Sequence, residues 1–186
     1  MKVRRVVTGQ VNGGKSVFVS DEMVEPVTVS LLPGAEFHRL WGADDVPKLP
    51  TGGSPTSQQQ YFPPPNGFRW GFFTLPAASD ANLDGLDIQA ALNELEEKLP
   101  GMAGHMEPDA PGMHTTDTVD FEVVLSGEVV LELDDGAEVT LKPGDTVVQN
   151  GTRHAWHNRG SVPAVIAVGI IGAIRSGDTP EPPGRS

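Results

Sequence analysis

Residues 113–158 read MHTTDTVDFEVVLSGEVVLELDDGAEVTLKPGDTVVQNGTRHAWHN, and the fold is decided here. β-Branched and aromatic residues fill 118–125, Ser126-Gly127 punctuates, and 128–133 follows with Val129, Leu131 and Leu133 at alternate positions. Asp134-Asp135-Gly136 and Lys142-Pro143-Gly144-Asp145 are turn signals on either side of a short strand over 138–141. Asn150-Gly151 separates 146–149 from 153–158, and the apolar run 162–171 closes the series. Short alternating segments with turn residues every few positions describe an antiparallel barrel or sandwich. The expected class is mainly β, a jelly-roll-like antiparallel β-barrel.

Upstream of this stretch the chain reads as a strand-rich extension. Strands are expected over 3–8 and 16–20, on either side of Asn12-Gly13-Gly14, and over 27–32 and 37–41, on either side of Pro33-Gly34. From 44 to 66 the pattern dissolves into prolines, glycines and glutamines, an extended loop, before 68–75 regains strand character. Ile88, Ala91, Leu92, Leu95 and Leu99 recur at helical spacing, with Asp84 or Asp87 as cap and Pro100-Gly101 as stop. The chain is therefore expected to divide into an extension (1–100), a barrel core (101–174) and a disordered, Pro-rich tail (175–186).

Composition excludes several classes of function. The net charge of −12 argues against a nucleic-acid partner, because phosphate contacts need clustered Lys and Arg. The absence of cysteine removes disulfides, thiolate metal sites and a Cys nucleophile. The apolar run 164–174 is too short to span a bilayer, so no membrane partner is expected. No apolar signal core follows the basic start, so a cytoplasmic location is expected. Gly13-Gly14-Lys15-Ser16 is not read as a phosphate-binding loop, because a hairpin and not a helix follows it.

The chemistry-bearing residues lie in the deciding stretch. Met113-His114-Thr115-Thr116, then Asp120 and Gly127, resembles the first motif of the cupin superfamily, with Thr116 at the second histidine position and Asp120 at the glutamate position. Gly144-Asp145, then Gly151-Thr152-Arg153-His154 and Asn158, resembles its second motif, one residue short and with Gln149 where proline is usual. The resemblance implies a single small barrel with a ligand or metal pocket, commonly a homodimer. Strand parity agrees: His114, Thr116, Thr118, Asp120 and Glu122 share one face, as do His154, Trp156 and Asn158, while His157 and Arg153 point away.

If both faces turn inward, His114, His154 and Asp120 converge as metal ligands. Two imidazoles and a carboxylate suit Fe, Mn, Ni or Zn. Asp120 or Glu122 is then the proton-moving group, and Thr116, Thr118 and Trp156 line the pocket. His38 is expected to be buried or at an interface, and His105 solvated in the connector; Trp70, Phe72 and Phe73 are expected to be mostly core. The function these residues imply is a metal-dependent enzyme on a small oxygenated metabolite, a lyase, dehydratase or isomerase ahead of a dioxygenase. The alternatives are a metal-free, ligand-binding module that senses or stores a small molecule, and a structural role through edge strands.

Overall fold

The computed structural model describes residues 1–78 and 83–177. The tail expected to be disordered falls, from residue 178 on, outside the described residues. The chain is mainly β with one α-helix. Strand β1 (Val3–Val11) pairs with β2 (Lys15–Val24) as a separate two-stranded sheet. Strands β3 (Glu36–Ala43) and β4 (Phe68–Leu75) precede helix α1 (Ile88–Lys98). Then come β5 (Thr118–Ser126), β6 (Val129–Glu132), β7 (Glu138–Leu141), β8 (Thr146–Asn150), β9 (Ala155–His157) and β10 (Ala164–Gly172).

These strands form a five-stranded sheet ordered β3-β4-β10-β5-β8 and a three-stranded sheet ordered β7-β6-β9, with antiparallel pairing throughout. Their apolar faces meet in one core of Leu75, Val124, Val129, Leu131, Ala164 and Ile166. This is the jelly-roll-like arrangement expected from the turn spacing. The N-terminal half supplies two strands of the main sheet, because β4 hydrogen-bonds to β10 along its whole length.

A second apolar cluster lies beside the first. The buried helix residues Leu95 and the neighbouring Leu99 pack against Val29, Ala35, Phe37 and Met102, and Phe73 touches both clusters. Asp87 caps α1 by accepting from the Ala90 amide at 3.1 Å, one of the two caps expected. Gly101, at φ +79°, turns the chain out of the helix.

One expected strand does not form. Residues 27–32 make a single bridge, Val27 to Phe37, and then turn, with the Leu32 amide bonded to Val29 O and the Ala35 amide to Leu32 O. The β-branched pattern there reflects burial of Val29 against the helix and not sheet pairing.

The long loop before β4 is anchored at its end by backbone bonds. Gly67 N donates to Pro64 O at 2.8 Å, and Gly172 N, at the end of β10, donates to Gly67 O at 2.9 Å. A side chain on Gly172 would overlap the Pro64 carbonyl, so the loop and β10 approach closely only because this residue is glycine. Gly172→Ala is expected to lower stability by about 1–3 kcal/mol through overpacking, read from the denaturant midpoint.

Candidate functional site

Strand β5 carries the ionisable wall of the site. Its residues alternate, with Thr118, Asp120, Glu122 and Val124 buried and Phe121 and Leu125 exposed. Both neighbours of β5 in the sheet enforce this parity, since Asp120 pairs with Ile170 on one side and Gln149 on the other. Two carboxyl side chains thus face inward, two residues apart. Each keeps one buried oxygen without a hydrogen-bond partner, Oδ1 of Asp120 and Oε2 of Glu122. The Thr118 hydroxyl supports Asp120 and is itself 2.8 Å from the Thr116 hydroxyl. Since Thr118 donates to the carboxylate, Thr116 donates to Thr118.

The second wall is a pair of imidazoles. His114 and His154 bridge through their backbones, and their ring centroids are 4.1 Å apart. His114 Nδ1 donates to Gly112 O at 3.1 Å and His154 Nδ1 to Thr152 O at 2.9 Å. A carbonyl only accepts, so each Nδ1 carries the hydrogen and each Nε2 keeps its lone pair. Gln149, which stands where proline is usual in the second cupin motif, also donates to Thr152 O and to the Thr152 hydroxyl. It therefore holds the carbonyl that orients His154. Asn158 ties the β9–β10 turn to β4 by donating to Val162 O and Leu75 O.

A cavity of about 380 Å³ joins the two walls, lined by His114, Asp120, Glu122, His154 and Trp156 among otherwise mostly apolar residues. Of the expected pocket residues, Trp156 lines it, whereas Thr116 and Thr118 lie behind Asp120 as its hydroxyl support. Phe73 reaches the cavity, while Trp70 and Phe72 do not.

The other expectations place as follows. His157 turns away and pairs with Glu132 at 2.6 Å. Arg153 binds Glu107 and Asp134 at the rim. His38 is buried outside the cavity, on the other side of β3 from Phe37. His105 bonds to Thr115 O at 3.0 Å and packs edge-on against Phe62.

Sequence reasoning missed Tyr61 and Phe62. Both come from the long loop and line the cavity, and Phe62 lies against both His105 and His114. Phe62 also lines the adjoining outer cleft, so it forms the partition between the two spaces. The signal for them was an aromatic pair in a loop otherwise made of polar residues and proline.

The free Nε2 atoms of the two imidazoles suit a metal, but no third His, Asp or Glu joins them in a metal-holding group among the described residues. The residues present do not fit a three-ligand centre that includes Asp120.

Burial sets the protonation states instead. It pushes Glu122 up to about 8, with the neighbouring Asp120 charge adding to the shift. It raises Asp120 to about 6, against the Thr118 hydrogen bond that favours the charged form. Burial also lowers both imidazoles, His154 to about 4, and the Gly112 and Thr152 carbonyls oppose it only in part. Near neutral pH the site holds a protonated Glu122, a largely ionised Asp120 and two neutral imidazoles.

These shifts make stability depend on pH. Above the ordinary carboxyl value of 4.5 the unfolded chain releases a proton that folded Glu122 keeps until about 8, so its contribution is lost as pH rises through that window. The histidines act in the opposite sense but only below their ordinary 6.5, where the unfolded chain takes up protons that the folded chain does not. From about pH 6.5 to 8.5 the stability of the native protein should therefore fall by a few kcal/mol, on the order of one to two per pH unit. Glu122→Gln should remove most of that fall in denaturant titrations run across the range.

Comparison with known proteins agrees with this architecture. Residues 103–170 match the family model described as Cupin domain. The chain is 53% identical over 47 residues to Phomopsin biosynthesis cluster protein C' of Diaporthe leptostromiformis, covering 25% of each. It is 38% identical over 93 residues to Oryzines biosynthesis cluster protein J of Aspergillus oryzae, covering 47% of this chain and 51% of that one. It is 39% identical over 46 residues to Cupin-domain-containing oxidoreductase virC of Hypocrea virens, covering 25% of this chain and 24% of that protein. The chain thus spans between about a quarter and a half of the length of these curated relatives. With both modified motifs and the antiparallel two-sheet fold in place, residues 103–170 form a cupin domain.

Proposed function

We propose that this protein is a small-molecule enzyme that moves a proton on an oxygenated, largely apolar substrate, by isomerisation, dehydration or elimination. The observation that carries this reading is the pair of carboxyls on β5 that face one apolar cavity in different protonation states. Two titratable groups whose environments hold their pKa values apart provide a base and an acid at one pH.

In this reading Asp120 takes a proton from the carbon next to a carbonyl, and Glu122 gives its proton to the carbonyl oxygen, forming the enol. Reversal at a second carbon completes an isomerisation with no net change in protons. Where a hydroxyl lies one carbon further on, the enol O–H returns its proton to Glu122 as the carbonyl re-forms, Glu122 passes that proton to the departing hydroxyl so that water leaves, and the proton taken by Asp120 then restores Glu122. The neutral imidazoles of His114 and His154 accept hydrogen bonds from a second substrate hydroxyl through Nε2. Exclusion of water by Phe62, Tyr61 and the apolar walls keeps the enol from random reprotonation.

A second reading, as an oxidoreductase, draws on the printed name of the Hypocrea virens relative. There His114 and His154 would supply two donors to a divalent metal such as Fe, Mn, Ni or Zn, and the remaining positions would fall to ligand or solvent.

Deuterium exchange separates the two. In buffered heavy water the protein should catalyse exchange of the hydrogens beside the carbonyl of 2-tetralone, followed by proton NMR. Asp120→Asn should reduce that rate by about a hundredfold or more, and a chelator should leave it unchanged. Exchange no faster than in buffer alone would contradict the acid–base reading. Loss of exchange on chelation would move the weight to the metal-dependent one.

A further inference from the structure

The cavity also constrains what enters it. Among the described residues its lining contains no Lys or Arg. Arg39 and Arg69 line a separate cleft with Tyr61, where Arg39 donates to Gln58 at 3.3 Å. Arg69, on the far side of Tyr61, is held by Asp44 and by the carbonyls of Gln60, Tyr61 and Ala43. Arg153 is held at the rim by Glu107 and Asp134. A carboxylate or phosphate entering the cavity would lose its water, find no cation, and meet two carboxyls.

The polar features of the cavity ask for something different. Asp120 Oδ1 and Glu122 Oε2 are buried with no partner, and the Nε2 atoms of His114 and His154 carry lone pairs. With Glu122 protonated, the acceptors Asp120 Oδ1 and the two Nε2 atoms still outnumber the donors on this wall, and a buried acceptor left without a donor is costly. A ligand that supplies a hydroxyl or enol O–H at this end relieves that cost. The rest of the cavity offers Phe37, Tyr61, Phe62, Phe73, Met102 and Met106, a surface for flat or extended hydrocarbon.

We infer that the ligand of this site is an uncharged molecule with an aromatic or otherwise apolar body ending in a hydroxyl or enol, and that Asp120 is its specificity determinant, accepting that O–H through Oδ1 and turning away acids. This rests on the reading of the cavity as the substrate site. It explains how one site serves both recognition and chemistry, since the O–H presented by such a ligand is also the group formed when a ketone is enolised.

The test is calorimetric titration of the full chain at pH 7 with three bicyclic probes. These are 2-naphthol, which donates and accepts; 2-methoxynaphthalene, which only accepts; and 2-naphthoate, which is anionic. 2-Naphthol should bind at least about tenfold more tightly than either of the others, the size expected for one buried hydrogen bond or one unpaired buried charge. Asp120→Leu should reduce the preference for 2-naphthol over its methyl ether, while Asp120→Asn, whose amide oxygen still accepts, should retain it. The second variant keeps the comparison decisive if the first does not fold.

Binding of 2-naphthoate as tight as that of 2-naphthol would overturn the inference and leave the cavity standing as a binding site. Equal binding of the methyl ether would do the same. Binding of none of the three would remove the cavity as a ligand site, and with it the catalytic reading on which the inference rests.

Discussion

Strand β5 is hydrogen-bonded along both edges, to β10 and to β8, so its period-two alternation has no freedom to slip. A shift by one residue would expose Asp120 and Glu122 and drive Phe121 inward. The rest of the site follows from that constraint. Two carboxyls are held where water cannot hydrate them, and burial in the low-dielectric cavity sets how they share protons. β10 lies between β5 and β4 and supplies Ile166, Val168 and Ile170 to the same cavity, so the central strands provide both the acid–base pair and the apolar wall that tunes it.

Much of this was legible in the residues themselves. Turn signals at Ser126-Gly127, Asp134-Asp135-Gly136 and Asn150-Gly151 marked the strand ends, because glycine and short polar side chains are needed where the backbone takes positive φ, as at Gly127, Asp135 and Gly151. Parity along β5 and β9 placed Asp120, Glu122, His154 and Trp156 on inward faces. Parity does not give distance, however. It brought Asp120 and the imidazoles to one cavity but not into one ligand group, because depth along a strand depends on register between sheets that no local pattern records. The 27–32 segment was misread for a related reason: its β-branched residues serve contact with α1, and propensity does not distinguish that from pairing.

Loops contributed what the strand pattern could not show. Tyr61 and Phe62 come from a segment whose composition announces only irregular backbone, yet both line the cavity and Phe62 forms its partition from the outer cleft. Its end is held by the close approach of Pro64 to Gly172. Gln149 is a similar case. As a departure from the cupin motif it looks like erosion of the pattern, but its amide secures the Thr152 carbonyl that fixes the tautomer of His154. Both features depend on contacts between residues distant in sequence or on side-chain to backbone bonds, which a single sequence does not display.

The acid–base chemistry requires Asp120 and Glu122 to form a buried pair held in different protonation states near neutral pH. The most direct measurement is a carbon-13 NMR titration of the side-chain carboxyls in the native chain, with Asp120→Asn and Glu122→Gln used to assign the two signals. Two separated transitions are expected, near 6 for the step dominated by Asp120 and near 8 for the one dominated by Glu122, each displaced when the partner is replaced. Two carboxyls that both titrate in the ordinary range near 4, with neither responding to the other's replacement, would contradict it.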